Sequence, residues 1–339
     1  FRQRGATRVV AAGAGDFAQI NTGGTDGANG IFGISANGSR LGLSVTTPEG
    51  VHTVVSFDFD NNDTLTPRLF NAYGEYEGLM IGQNWTNFQS FVGHIPTLDF
   101  DALPGTGGPL LRTPQIRYTS GPFSVSLEQK MGLGEVNNDI GGGPSEIVQS
   151  SPIFTAKVED SLDGLSYASA IMVRQLEVDD GTNDDTTFGY GAFISGSFAL
   201  TDMLVAKGAL NYTEGAAAYV YRNGNNGFFG LDAYTENASG DLEAIETTGG
   251  SIGISAHLDG GRSVNIGYGI AEQDLDDAFS DGANVGANSE SNSMFIVNYK
   301  WSPVAKVDMG IEFARLEREN QNGSDGEANR AMFLAQYNF

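Results

Sequence analysis

The chain ends Phe333-Leu334-Ala335-Gln336-Tyr337-Asn338-Phe339, and the alternation in this stretch decides the class of fold. Successive side chains of a strand point to opposite faces, so Phe333, Ala335, Tyr337 and Phe339 share one face, and Leu334, Gln336 and Asn338 the other. An apolar, aromatic-ended face backed by a wetter one is what a strand between lipid and an aqueous lumen requires. The same pattern recurs upstream, in Phe295, Val297, Tyr299 and Trp301, and again in Val307, Met309, Ile311 and Phe313. One such strand proves little, so the reading rests on repetition.

Alternating segments run the length of the chain. In the first half they are placed at Arg8–Ile20, Gly30–Thr47, Val51–Asp60, Arg68–Glu77, Leu79–Trp85, Arg112–Thr119, Phe123–Met131 and Phe154–Glu159. The second half adds Ser166–Leu176, Phe188–Ala199, Asp202–Tyr212, Glu243–His257, Arg262–Ala271, Ser293–Trp301, Ala305–Leu316 and Arg330–Phe339. Short turns such as Thr47-Pro48-Glu49-Gly50, Glu77-Gly78, Asp259-Gly260-Gly261 and Ser302-Pro303 alternate with long connections, among them Thr86–Leu111, Gly132–Pro152, Thr213–Leu242 and Glu272–Asn292. The expectation is all-β: residues 1–339 as a single domain, a 16-stranded antiparallel transmembrane β-barrel. An even count suits a closed single-chain barrel, and about 16 strands leave an aqueous channel rather than a packed core. The short turns would be periplasmic and the long loops extracellular.

Composition narrows the function classes. There are no cysteines, 47 glycines and only 10 prolines, with 21 Phe and 12 Tyr, which favours many strands with turns over a disulfide scaffold. No run approaches the length of a transmembrane helix. The chain opens Phe1-Arg2-Gln3-Arg4 without a leader, so an exported protein is expected here in processed form. A net charge of −24 with no basic patch repels phosphates, and nucleic acid is not an expected partner. Most of the acids fall in the long connections, whose only bases are Arg222 and Arg318, so the strands themselves are nearly balanced.

Parity sorts the strand charges. Arg40 alternates against Leu41 and Leu43, and Arg117 against Ile116 and Tyr118. By the same rule Lys130, Lys157, Arg174, Lys207, Lys300 and Lys306 are expected to line the lumen, with Asp58, Glu75, Glu128, Glu159, Asp308 and Glu312 beside them. The wall is then a mixed field in which most charges hydrate the pore or pair across strands.

Several blocks resemble the DcaP-type porins of the Gram-negative outer membrane: Ser39-Arg40-Leu41-Gly42-Leu43-Ser44-Val45-Thr46-Thr47-Pro48, Arg68-Leu69-Phe70-Asn71-Ala72-Tyr73-Gly74-Glu75-Tyr76, Gly82-Gln83-Asn84-Trp85-Thr86-Asn87-Phe88, Pro96-Thr97-Leu98-Asp99-Phe100 and Arg112-Thr113-Pro114-Gln115-Ile116-Arg117-Tyr118. The terminal Phe339 resembles the outer-membrane assembly signal of many porins. The resemblance implies a homotrimer of barrels, a third extracellular loop folded inward as a constriction, and passive passage of small hydrophilic solutes, among them organic anions such as dicarboxylates. Carried onto this chain, the constriction loop is 86–111, with Gln89, His94, Asp99 and Asp101 facing Arg40, Arg112 and Arg117 on the wall. Such opposed charges set a transverse field. One departure stands out: Phe70 occupies a place beside Arg68-Leu69 where a further base is expected, which argues for weaker anion preference.

Catalysis finds no support. His52, His94 and His257 are scattered, and no H-E-x-x-H, G-x-S-x-G or helix-opening G-x-G-x-x-G occurs. No cofactor is expected. The runs Asp179–Asp185 and Asp274–Asp277 offer oxygen donors for calcium or magnesium but lack EF-hand spacing, so they are read as solvating loops that loosely bridge divalent ions to lipopolysaccharide. Beside the channel stands a second class of function, a structural or adhesion barrel whose acidic loops are its working surface.

Overall fold

The computed structural model describes residues 2–12, 17–23, 32–59, 66–98, 101–129, 135–137, 146–148, 150–179, 184–224, 229–236 and 239–339. It is an all-β protein dominated by one large antiparallel sheet in which successive strands are hydrogen-bonded neighbours. From Arg40–Thr46 the order runs through His52–Asp58, Arg68–Tyr76, Leu79–Trp85, Arg112–Ser120, Phe123–Glu128, Ile153–Leu162 and Leu165–Asp179. It continues through Asp184–Ala199, Leu204–Glu214, Glu246–Leu258, Arg262–Gln273, Ser289–Val304, Val307–Asn320 and Asp325–Asn338. The strand Arg2–Ala12 pairs with Asp325–Asn338 on one side and Arg40–Thr46 on the other.

The sheet's amphipathicity is inverted relative to a water-soluble protein. Along Phe123–Glu128, Phe123 is 63% exposed and Val125 and Leu127 are exposed too, whereas Ser124, Ser126 and Glu128 are buried. Strand Val307–Asn320 repeats this, with Ile311 and Phe313 outward and Glu312 and Arg318 covered. An apolar face turned outward and a polar face turned in suits strands bathed in lipid. Among the described residues no helix is long and apolar enough to cross a membrane.

Two-residue turns tie the short-loop end. Glu77-Gly78 and Asp163-Gly164 have positive φ at both positions (48° and 83°, 34° and 85°), the twist that a tight hairpin needs.

Several boundaries differ from expectation. The first strand is Arg2–Ala12 rather than Arg8–Ile20: Phe17–Gln19 forms a 3-10 turn, and Phe17 and Ile20 are buried. The segment Gly30–Thr47 is broken into Gly33–Ser35 and Arg40–Thr46 by a turn in which Ser39 N–H bonds the Ala36 carbonyl across Asn37-Gly38. Ser302-Pro303 is not a turn. The strand runs on to Val304 through an irregularity after Trp301, where a proline without N–H is tolerated, and the turn is Ala305-Lys306. Lys306, with φ 68°, is therefore an exposed turn residue and lines no lumen.

Candidate functional site

Loop 86–111 lies along the polar face, and its backbone is satisfied by the strands beneath it. Buried irregular backbone must find partners for its N–H and C=O groups, and here the wall supplies them. At the neck, Thr86 N–H bonds the Leu111 carbonyl, and buried Glu128 accepts from Thr86 Oγ1 at 2.5 Å, Asn87 N–H at 2.7 Å and Ser126 Oγ at 2.6 Å. Farther along, Lys157 Nζ donates to Gln89 O (3.0 Å), Lys207 Nζ to His94 O (3.1 Å) and Asn211 Nδ2 to Gly105 O (2.6 Å). Asn298 Nδ2 reaches Pro96 O at 2.7 Å, and Glu312 Oε2 accepts from Leu98 N–H at 3.0 Å. The loop thus crosses from strand Phe123–Glu128 to strand Val307–Asn320. It sits close enough that a β-carbon on Gly93 would strike the Gly208 carbonyl, and one on Gly105 the Gly250 amide.

Where the loop rests, the wall face changes character. Ile95 and Leu103 pack with Met294, Ile296, Ala314 and Leu316, and Leu98 packs on Met332 and Leu334. These wall residues point to the side that parity assigns to water, and it is the loop that covers them.

A second segment shares this face. Ala216–Tyr221 is buried throughout, packing with Phe88 and Phe193, and Gly105 N–H bonds the Tyr221 carbonyl. Arg174, 2% exposed, meets Asp232 at 2.6 Å in a fully covered ion pair, and Asp232 also accepts from Ala218 N–H. The connection Thr213–Leu242, expected to lie outside, therefore folds back onto the sheet. The apolar run Ala216-Ala217-Ala218-Tyr219-Val220-Tyr221, followed by Phe228-Phe229 and Leu231, was the signal available for it.

The expected site residues divide accordingly. Gln89 is buried and faces no channel: its amide donates to Ser90 O and Gly107 O and accepts from Leu110 N–H, bracing the loop internally. Asp101 is half-buried and accepts a 3.0 Å bond from Tyr221 Oη. Asp99 and Lys130 lie outside the described residues, as does most of the acidic run 179–185. Asp58, Glu128 and Arg174 are buried partners rather than water-lining charges: Asp58 takes a two-pronged bond from Arg68, both arms at 2.8 Å. Lys157 and Lys207 hold loop carbonyls, and Lys300 stands within electrostatic reach of Lys207. Arg40, Arg112 and Arg117 are each half-exposed, Arg112 and Arg117 on the strand that follows the loop, with Glu75 and Glu128 near Arg117.

His94 meets Phe91 of the loop edge-on, ring centroids 5.3 Å apart. Burial, and then the positive Lys207, push its pKa down to about 4. Such a ring is protonated in the displaced loop before it is in the seated one. Seating should therefore be at full strength above about pH 6.5 and weaken as pH falls toward 4. Thermal stability should fall across that window in the parent protein and stay flatter in His94→Gln; parallel profiles would contradict this.

On the outer rim, Glu246, Glu272, Asp274, Asp276, Glu290 and Glu319 line an open cleft. Among the described residues no cluster of His, Cys, Asp or Glu is placed to hold a metal ion.

The family model described as DcaP outer membrane protein matches residues 1–339, and the chain belongs to that family of bacterial outer-membrane channels. The crystal structure of the outer membrane channel DcaP of Acinetobacter baumannii is similar at a TM-score of 0.82 and 24% identity, covering 100% of this chain and 96% of that one. An anion-selective porin from Comamonas acidovorans follows at 0.59 and 13% identity, covering 100% and 99%. A loop-deleted OmpT of Vibrio cholerae gives 0.61 and 11%, covering 100% and 98%. No curated protein sequence matches the chain.

Proposed function

We propose that the chain forms a closed barrel of sixteen strands, assembled as a homotrimer, through which small organic anions such as dicarboxylates diffuse passively. Closure is supported by the pairing of Arg2–Ala12 with both the last strand and Arg40–Thr46. The observation that carries the solute class is the placement of Arg40, Arg112 and Arg117. All three are half-exposed on the polar face, Arg112 and Arg117 on the strand that leaves the neck of the loop, while the body of the loop rests on the strands from Ile153–Leu162 to Val307–Asn320. The free passage lies between the two, and a positive wall facing Asp101 on the loop draws and orients dipolar anions. The rim carboxylates act separately, holding calcium or magnesium loosely against lipopolysaccharide. The channel does no chemistry on its solutes.

Liposome swelling tests the solute preference. Arg40→Ala with Arg117→Ala should slow entry of a small dicarboxylate by about threefold or more while leaving an uncharged sugar of similar size unaffected. Equal slowing of both, or of neither, would reject the arginine wall. A barrel that admits no solute at all would leave an adhesion or structural role.

A further inference from the structure

Phe70 is the extra residue of a β-bulge: Ser56 opposes Asn71 and Phe57 opposes Leu69, leaving Phe70 without a partner across the pair. Bulges re-aim side chains. Here the bulge turns Phe70 to the polar side together with Asn71, whose amide bonds Ser56 and Asn84 there. Phe70 is 1% exposed because two arginines cover it: Arg40 Cζ lies 3.2 Å from the ring centroid and Arg112 Cζ 3.7 Å. Two guanidinium groups that close cannot share one face, so they take opposite faces and stand no farther apart than the sum of those distances.

Like charges this near repel. An aromatic ring offers a negative face on each side, and the pair is held by both. Arg112 also lies 4.8 Å from the Trp85 ring, and Trp85 meets Phe70 edge-on at 5.7 Å and Phe91 of the loop at 5.2 Å. The stack is thereby joined to the neck of loop 86–111. Arg40 and Arg112 are partly exposed, with Arg40 Nε and Arg112 Nη1 covered.

We propose that Phe70 is a positioning residue for anion passage: it fixes Arg40 and Arg112 on either side of one ring as two adjacent stations for a carboxylate. The inference rests on the anion reading above, and it reverses the expectation that a phenylalanine here dilutes the positive wall. Replacing the ring would keep the charge and loosen its placement.

The test compares Phe70→Leu, Phe70→Tyr, and Arg40→Ala with Arg112→Ala, each purified as the full chain and inserted in planar bilayers. Phe70→Leu should lower the anion-to-cation permeability ratio about threefold, as loss of a half-exposed cation–π contact would, with conductance for a balanced salt kept. Phe70→Tyr, which retains the ring, should match the parent. The double arginine variant should lower the ratio further. If that variant shifts the ratio and Phe70→Leu does not, the positioning role is overturned and the anion reading stands; if neither shifts it, both fall. A failure of Phe70→Tyr to match the parent would also overturn the role, because ring identity would then not be what matters. Should Phe70→Leu fail to insert, Phe70→Met, similar in volume and without a ring, carries the same expectation.

Discussion

Asp232→Ala is expected to destabilise the folded protein by about 3–5 kcal/mol, the cost of leaving a buried charge unpaired, and to raise single-channel conductance. Arg174 and Asp232 are covered on every side, and their 2.6 Å contact ties the connection Ala216–Thr235 to strand Leu165–Asp179. Removing the carboxylate strands the guanidinium among apolar groups and frees Ala218 N–H. The segment would then leave the sheet face, widening the lumen as it goes. Asp232→Asn keeps the shape and one acceptor but not the charge, so its effect should be smaller. Heat-induced unfolding in detergent, read as the shift in electrophoretic mobility, together with conductance, checks both halves; a stable variant of unchanged conductance would contradict the role given to the pair.

Glu128→Ala should release the neck of loop 86–111. Hydrogen bonds to charged groups contribute about 1.5–3 kcal/mol each, and Glu128 accepts from Thr86, Asn87 and Ser126 at once. Because the three share one site their effects are not additive, and a combined loss of about 3–5 kcal/mol is the expected scale. The loop stays attached through Lys157, Lys207 and Asn298, so the protein should fold while the neck of the loop relaxes. Conductance should rise and fluctuate between levels. Steady parent-like conductance in folded Glu128→Ala would show that the neck is held elsewhere.

These two anchors mark where the sequence could and could not be read. The lipid-facing set was legible because parity is a local property: Phe333, Tyr337 and Phe339 are exposed as their alternation requires, and Leu334 is buried. The same parity put Arg174 and Glu128 on the polar side, but it could not tell water from a loop as the neighbour. That distinction depends on loops 86–111 and 213–242, whose contacts reach across the sheet and leave no period in the chain. Met294-Phe295-Ile296-Val297 shows the difficulty. Its outward residues face lipid and its inward ones face Ile95 and Leu103, so alternation vanishes where the loop sits. The bulge at Phe70 escaped parity for a related reason. A bulge puts two successive residues on one side, and a fixed odd–even rule cannot register it. The Ala305-Lys306 turn escaped because Ser302-Pro303 carries stronger turn chemistry, although the proline stays within the strand at an irregularity.

The arginine wall, rather than the acidic mouth, is expected to set passage through this family member. Reversal potential under a salt gradient separates the two. Charges at an open mouth act through solvent, and their influence shrinks as the Debye length falls to about 3 Å at 1 M salt. Charges fixed at a narrow passage continue to act there. The parent channel should conduct, favour anions at both low and high salt, and lose that preference in Arg40→Ala with Arg117→Ala. Cation preference at low salt that disappears at high salt, unmoved by the double substitution, would contradict the account.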